Sequence, residues 1–407
     1  MSDDAGPGGQ ALTARGLHWD PYDVALDLDP HPTWRRLRDE QPLYRNDELD
    51  FWALSRFADV QAASLDVATF SSSRGTVLEL MGGDMSQLRM LIFLDPPEHR
   101  VLRSLVGHAF TPRRIAALAE RIRQLCAECL DPFVGSGGFD YVADFGTHLP
   151  SLVISEILGV PPGERPRVLE LIHGTFHQDP ERGMYNDVSL GALMELRSWM
   201  GTALRERRAR PQDDMLSVLA HAEIDDGGTR RVLDDEELLG FGTLLVSAGT
   251  ETVARLLGWA ATVLDDHPSQ RAELAADPSL VPGAVEELLR FEAPSPVQGR
   301  TVLRPVELHG QVLDPGSRVL LLTGSAGRDE RAYPDPDRFD IHRTDQPHLS
   351  LGVGAHYCLG AALARLEGRI ALEETLRRFP SWTVDRERTE RLHTSTVRGF
   401  KQVPIQL

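Results

Sequence analysis

One cysteine lies where a loop meets a helix, in a pattern that suits a metal ligand. The segment 351–361 reads LGVGAHYCLGA, and Cys358 comes just before an alanine-rich stretch with helical character. A sulfur at a helix N-terminus sits in positive potential beside free N–H donors, which favours the thiolate that metals bind. Gly352 and Gly354 let the backbone turn tightly and come close to something large and flat. The alternative from these residues alone is a buried structural cysteine at a loop-to-helix junction.

A second segment, Ala248 to Thr252, places polar residues inside a long apolar stretch and reads AGTET. Threonine can divert the hydrogen bond of the carbonyl four residues earlier and open a helical turn. A buried Glu251 beside the Thr252 hydroxyl can act as a proton relay. The alternative is a helix–helix packing notch at Gly249, with Glu251 in a structural ion pair.

Two further charge pairs share a helix face. Glu287 and Arg290 are three residues apart and can form an ion pair. His99 and Arg103 are four residues apart, and two cationic donors on one stripe suit an anionic ligand such as a pair of carboxylates. In isolation, each pair is equally compatible with a solvated surface.

The composition narrows the class of protein. The 407 residues include 43 basic and 61 acidic side chains, a net charge of −18, which argues against nucleic acid as a partner because phosphate repels such a surface. Three cysteines cannot build a disulfide framework in a chain of this length, and they fit a reducing cytoplasm. Cys126 and Cys129 are interpreted as two packed thiols, since no second pair completes a zinc site. The start of the chain has no signal-peptide pattern, so we expect a cytoplasmic protein without a membrane anchor.

Helical periodicity dominates the elements that must position these residues. The strongest segment runs from Leu233 to about Asp265, and its roughly 30 residues would span about 45 Å. Glu251 and Arg255 in its middle exclude a membrane span, so it is predicted to be a buried central helix. Further helices are predicted at 147–158, 164–176, 188–209, 212–221 and 280–291, and short strands at 306–308, 311–313 and 319–322. The prediction is a mainly α fold with a minor β region, in which residues 1–17 are a disordered lead and residues 18–407 form a single catalytic domain.

Taken together, these motifs resemble the cytochrome P-450 family, specifically a soluble bacterial member. The loop at 352–360 resembles the haem-ligand loop of that family, and Ala248 to Thr252 resembles the oxygen-activation stretch of its long central helix. Glu287 and Arg290 resemble its ion pair, with Arg338 in the segment PDRF as the third member. Leu351 departs from the family pattern, which usually has phenylalanine there.

The resemblance implies haem b, with Cys358 as its axial thiolate ligand. It also implies a monooxygenation that uses O2 and two electrons from NAD(P)H, in which Glu251 and Thr252 deliver the protons and Gly249 leaves space over the iron. The residues that would contact the cofactor are His99, Arg103, Arg300 and His356 at the propionates, together with Ala248 and Gly352.

The electron donor and the substrate are also expectations drawn from the resemblance. No flavin or iron–sulfur segment follows Cys358, so we expect electrons from a separate ferredoxin and its reductase. The predicted ferredoxin dock consists of Arg103, Arg113, Arg114, Arg365 and Arg369. The substrate is expected to be a hydrophobic small molecule such as a polyketide, terpenoid or peptide-derived intermediate. Its predicted pocket consists of Leu91, Leu244, Leu245, Ala248, Val297 and Thr396.

Three alternatives stay open from the sequence. Within the haem-thiolate class, the reaction could be a peroxide-driven oxidation or an oxidative coupling. Outside that class, His356 and Cys358 could serve a cysteine hydrolase, or the chain could be a purely structural or binding helical protein.

Overall fold

The structure is a computed structural model that describes residues 16–107, 110–177, 179, 183, 186–226, 228–343 and 347–407. Of the predicted disordered lead, residues 1–15 lie outside the described residues, and Leu17 packs against a buried cluster around Trp19 and Trp34. Among the described residues, no helix is long and apolar enough to span a bilayer. The assignment of 18–407 to a single domain stays a prediction.

The helices make up most of the described chain, which confirms the predicted mainly α class. They are α1 (Val24–Leu28), α2 (His31–Glu40), α3 (Phe57–Leu65), α4 (Glu98–Gly107), α5 (Pro112–Ala117), α6 (Ala119–Leu130), α7 (His148–Leu158), α8 (Arg165–Thr175), α9 (Asp187–Ala209), α10 (Met215–Ala220), α11 (Asp235–Asp266), α12 (Pro268–Ala276), α13 (Val281–Phe291), α14 (Thr323–Ala326) and α15 (Ala361–Arg378). The predicted helices match α7, α8, α9 and α13 within one residue at either end. The 212–221 prediction is too long, because Asp214 caps α10 by accepting a hydrogen bond from the Ser217 amide at 2.8 Å.

The strands are β1 (Leu43–Asn46), β2 (Phe51–Leu54), β3 (Phe70–Ser71), β4 (Gly138–Asp140), β5 (Glu223–Asp226), β6 (Thr229–Val232), β7 (Val297–Val302), β8 (Val306–Leu308), β9 (Gln311–Leu313), β10 (Arg318–Leu322), β11 (Thr383–Val384), β12 (Glu390–His393), β13 (Arg398–Gln402) and β14 (Pro404–Gln406). The largest sheet has the order β1-β2-β10-β7-β3, in which β10 is parallel to β2 and antiparallel to β7. The predicted strand at 319–322 is therefore central in this sheet, whereas those at 306–308 and 311–313 pair with each other as a hairpin.

The central helix α11 organises the fold. Its N-terminus is fixed by a capping box, in which the Asp234 side chain accepts from the Glu237 amide and the Glu237 carboxylate accepts from the Asp234 amide. Its 32 residues span about 48 Å, and most of them are buried against α7, α8, α9, α15 and β13. The helix therefore crosses the whole helical part and exposes its middle to the space between α11 and α15.

Candidate active site

A large cavity lies between α11 and the loop that precedes α15. Its volume is about 330 Å³, which lies within the roughly 300–1,000 Å³ of a pocket that binds a small ligand. The predicted site residues that line it are Leu91, His99, Arg103, Leu244, Leu245, Ala248, Gly249, Thr252, Arg300, Gly352, His356 and Cys358. The cavity therefore brings together residues from segments that are far apart in the sequence.

Cys358 is held at the wall of this cavity by a tightly turned loop. Its backbone amide donates a hydrogen bond to the Leu351 carbonyl at 2.8 Å, which closes the loop on itself. Gly352 and Gly354 have φ of +70° and +72°, a region that side chains with a Cβ rarely adopt. A Cβ at position 354 would also lie 3.0 Å from the Leu65 side chain. The loop needs both glycines to deliver the sulfur to the N-terminus of α15.

The Cys358 thiol is less acidic than its place at a helix N-terminus led us to expect. Burial raises the pKa of this thiol, and this outweighs the opposite effects of a backbone hydrogen bond from Gly360 and of the positive charges of Arg103 and Arg365. The helix N-terminus alone therefore does not make the thiolate. A metal cation at the sulfur would do so, because a coordinating thiol loses its proton outright.

One side of the cavity carries a group of histidine and arginine side chains whose hydrogen-bonding capacity is only partly used. Both ring nitrogens of the buried His99 have no hydrogen-bond partner among the described residues. The buried Arg300 guanidinium donates to the carbonyl of the adjacent Gly299, at 2.6 Å. The His356 ring lies 4.4 Å from the His99 ring, between centroids, and Arg103 donates to the Tyr357 carbonyl. Unpaired buried donors are costly, so this arrangement fits an anionic ligand with more than one acceptor group.

The pKa values of His99, His356 and Arg300 are all lowered, as expected for basic side chains that are buried with little negative charge nearby. Burial, followed by the charge of Arg103, lowers the pKa of His99 to about 4. Burial, followed by the charges of Arg300 and His99, lowers the pKa of His356 to about 3. Burial lowers the pKa of Arg300 to about 10. Two carboxylates placed among these side chains would counter each of the three shifts.

On the middle turn of α11, neighbouring residues face different surroundings. Thr252 borders the cavity and donates its hydroxyl to the Ala248 carbonyl at 3.1 Å. Glu251 is buried on another face, where Arg255 donates to it. A Cβ at Gly249 would lie 3.1 Å from the Ile154 side chain of α7. The glycine therefore serves close helix packing as well as bordering the cavity, and both interpretations of this segment have support in the geometry.

The third member of the buried ion-pair cluster is Arg343, and the prediction of Arg338 is wrong. Glu287 accepts two hydrogen bonds of 2.7 Å from Arg290, and Arg343 lies 3.3 Å from the same carboxylate. The Arg338 side chain is 70% exposed, and this residue contributes only its backbone carbonyl, which accepts from Arg290 and Arg343. The reason is local, because the next residue, Phe339, is directed into the core and its neighbour is thereby turned toward solvent.

Two of the predicted pocket residues do not line the cavity. Val297 packs in the cluster around Trp19 and Trp34, and Thr396 donates its hydroxyl to the Val297 carbonyl at 2.8 Å. Side chains alternate along β7, so Gln298 and Arg300 face the cavity while Val297 faces away. Ser295, just before the strand, takes the place expected for Val297.

Glu367 is a cavity residue that the sequence analysis missed. It lies on α15, it is buried, and its Oε2 has no hydrogen-bond partner among the described residues. Burial raises the pKa of this carboxyl to about 8. Its position three and four residues after Ala364 and Leu363, which also border the cavity, was the one signal available in the sequence.

A pH dependence of stability follows from Glu367. Because the folded state keeps this proton up to about pH 8 and the unfolded chain loses it near pH 4.5, the free energy of unfolding falls as pH rises through this window. The slope is at most about 1.4 kcal/mol per pH unit. Relative to the parent, Glu367→Gln should therefore gain stability steadily from pH 5 to pH 8 in urea unfolding. The exposed Glu387→Gln is the matched control, and equal pH slopes for the parent and Glu367→Gln would contradict the assignment.

The fold and the site by themselves indicate the class of protein. A cysteine sulfur at a cavity wall, flanked by cationic donors that need carboxylates and faced by a hydroxyl-bearing helix, is the arrangement of a haem-thiolate protein. A family model described as cytochrome P450 matches residues 192–407. The chain belongs to the cytochrome P450 family.

Three similar proteins illustrate the relationship. The putative cytochrome P450 123 of Mycobacterium tuberculosis is 40% identical over 95% of this chain and 96% of its own. The erythromycin C-12 hydroxylase of Saccharopolyspora erythraea is 38% identical over 91% of this chain and 92% of its own. The solved structure of PksS, the cytochrome P450 of the Bacillus subtilis bacillaene polyketide synthase, superimposes with a TM-score of 0.88 at 30% identity, over 96% of this chain and 100% of its own.

The predicted family is thereby confirmed, and the protein is a cytochrome P450 monooxygenase. Members of the family carry haem on a cysteine thiolate and use redox partners and hydrophobic substrates. The hydrolase and purely structural alternatives are excluded by this membership.

Proposed function

We propose that this P450 holds haem b through Cys358 and inserts one oxygen atom of O2 into a polyketide-derived macrolactone, with electrons from a ferredoxin. The observation that carries the proposal is the single cavity that contains Cys358, the unpaired cationic donors and Thr252. When bound, the haem supplies the oxygen activation, and thiolate ligation favours O–O cleavage.

The chain's own residues would seat the cofactor. His99, Arg103, Arg300 and His356 would bind the two propionates, and the fit rests on the His99 nitrogens that lack partners and on the free capacity of the Arg300 guanidinium. The Thr252 hydroxyl, which now donates to the Ala248 carbonyl, would turn to hold a proton in the cavity. Glu251 would supply that proton from the opposite face of the same helical turn.

The cavity lining supports a bulky, mostly apolar substrate with a few oxygen atoms. Leu91, Ile92, Phe241, Leu244 and Leu245 form an apolar wall. Across from it, Gln298 donates one amide hydrogen to the Ser295 hydroxyl at 2.7 Å, and Ser295 donates its own hydrogen to the Thr396 carbonyl at 3.2 Å. Gln298 therefore keeps a donor and an acceptor for ester or hydroxyl oxygens. Two of the similar proteins are named for erythromycin and for a polyketide synthase, which supports this substrate class among those that the sequence suggested.

Labelled oxygen tests the reaction. The enzyme is given 18O2, NADPH, a ferredoxin, its reductase and a panel of 14-membered macrolactones that shift its ferric spectrum. We expect one 18O atom per product molecule, from a macrolactone and not from a terpenoid or cyclic-peptide panel of similar size. Label-free product formed with hydrogen peroxide, and none with O2, would replace the proposal by a peroxide-driven oxidation.

Two arginines of the predicted ferredoxin dock have no ion-pair partner among the described residues, and their substitution tests whether ferredoxin binds there. Arg365 is paired with Glu286 and Arg369 with Glu373, whereas Arg113 and Arg114 of α5 are exposed and have no ion-pair partner among the described residues. Charge reversal of both should slow ferredoxin-driven NADPH oxidation by about tenfold at low salt and far less at high salt, since surface attraction is screened.

The control for this prediction is charge reversal at Arg210 and Arg388, which are exposed on other elements. This control changes the net charge by the same amount, so it isolates the location of the charge. Equal rates at low salt for the two double variants would remove α5 from the dock.

A further inference from the structure

The buried Glu251 is close to a side chain that reaches solvent. Its side chain is 4% exposed and does not border the cavity. Arg255, itself buried, donates to Oε2 and also to the Phe400 carbonyl, which fixes that side of the carboxylate. The other oxygen, Oε1, is directed toward α8. A residue of α8 therefore controls how protons reach this carboxylate.

That residue is His173, in the last turn of α8. Its Nε2 lies 3.9 Å from Oε1 of Glu251, and its side chain is 42% exposed. This distance is longer than a hydrogen bond, and a small side-chain rotation or one bridging water closes it. The histidine therefore contacts solvent on one side and faces the buried carboxylate on the other.

The net effect of the surroundings is to lower the pKa of His173, and Glu251 is the group that opposes this shift. Burial lowers the pKa of His173, the negative charge of Glu251 raises it, and the positive charges of Arg255 and His148 lower it. These groups come from α11 and α7. Where α9 packs on the same turn of α8, its contacting residue is the uncharged Ala192, which lies so close that a Cβ at Gly174 would be 2.7 Å from it. The close packing of α9 holds this turn, and with it His173, in place over Glu251.

We propose that His173 is a positioning residue that relays protons from solvent to Glu251, and so sets the rate at which the proton supply of Thr252 is restored. This inference rests on the proposed function of Glu251 and Thr252. The imidazolium transfers its Nε2 proton to Oε1 and becomes neutral. Once Glu251 has passed that proton to Thr252 and is a carboxylate again, the ring turns toward solvent and takes a new proton from a buffer acid, which restores the starting imidazolium–carboxylate pair.

The first test measures the contact and does not depend on turnover. The pKa of His173 is determined by NMR with 13C-labelled histidine in the reduced, carbon monoxide-bound protein, with His173→Gln used to assign the signal. Glu251→Gln should lower this pKa by about one unit, because an opposite charge at this separation is lost. The pKa of His148 should change by much less. An unchanged His173 pKa would overturn the inference.

The second test measures proton supply. With NADPH, a ferredoxin, its reductase and dodecanoic acid as a probe, His173→Gln should raise the peroxide released per NADPH about fivefold, which is below the ~10²–10⁴-fold contribution of a group that transfers a proton directly to the reacting atoms. Added imidazole should restore the parent value, and the control His18→Gln, at an exposed histidine that does not act on the pKa of His173, should match the parent throughout. In a Glu251→Gln background, His173→Gln should add nothing.

The two failures are distinguishable. Equal peroxide yields for His173→Gln, His18→Gln and the parent, or no rescue by imidazole, would overturn the relay while leaving the monooxygenase intact. A protein without a haem-thiolate spectrum would instead overturn the proposed function, and the NMR pKa would still report whether His173 and Glu251 interact.

Discussion

Replacement of Cys358 by alanine should lower the affinity for haem by more than ~100-fold, because loss of groups that only support metal ligands already costs about 10–100-fold. Cys358 is the one cysteine of the three that borders the cavity, whereas Cys126 is fully buried in the helical core. Cys358→Ser should retain some haem at most, without the spectrum of a thiolate ligand, since a serine hydroxyl does not ionise in this pH range. Haem content is measured as the pyridine complex, alongside the spectrum of the intact protein.

Cys129→Ala is the matched control for this experiment. Its thiol is half-buried and lies on α6, away from the cavity lining, so it is not placed to bind a group in the cavity. It should keep the parent's haem content and spectrum. A Cys358→Ala protein with the parent's haem content and an unchanged thiolate spectrum would show that the ligand is another residue.

Replacement of Glu287 by alanine should destabilise the fold by about 3–5 kcal/mol, because it leaves the buried Arg290 and the partly buried Arg343 without their carboxylate. Arg290 and Arg343 both bond to Glu287, and the Arg290 guanidinium also donates to the Gly327 and Pro336 carbonyls, at 2.6 and 2.8 Å. Loss of the carboxylate therefore loosens the chain segment that leads into the cysteine loop. The free energy of unfolding in urea and the haem content measure the effect.

Two arginine variants sharpen this prediction. Arg343→Ala should be clearly destabilised, because it removes one of the donors to Glu287. Arg338→Ala should fall within about ±0.5 kcal/mol of the parent, as expected for an exposed side chain away from any buried network. If Glu287→Ala or Arg343→Ala were as stable as Arg338→Ala, the cluster would not hold this segment together.

The predictable parts of the fold are those that short-range patterns determine. The bounds of α11 follow from its acidic first turn and its apolar length, and the predicted Leu233–Asp265 differs from Asp235–Asp266 by two residues at most. The tight turn of the cysteine loop was equally predictable. Positions 352 and 354 both take a positive φ, a conformation that glycine adopts readily, and both are glycine in the sequence. In both cases the information lies within about ten residues along the chain.

The parts that could not be predicted depend on contacts between distant segments. Whether Arg338 or Arg343 meets Glu287 is decided by which way Phe339 turns into the core. Whether Val297 or Gln298 faces the substrate is decided by the register of β7 against β10, since a shift of one residue exchanges the two faces of a strand. The proposed role of His173 depends on the packing of α8 against α11, which places its ring beside Glu251. No local sequence pattern predicts that contact.

The spectrum of the reduced protein exposed to carbon monoxide tests the central claim most directly, which is that Cys358 holds haem as a thiolate in this cavity. The purified protein should show the strongly red-shifted Soret band of a thiolate-ligated haem, and Cys129→Ala should show the same band. A protein that binds no haem, or one whose band is the less shifted one of a histidine- or thiol-ligated haem, would contradict the assignment of Cys358 and of the functions built on it.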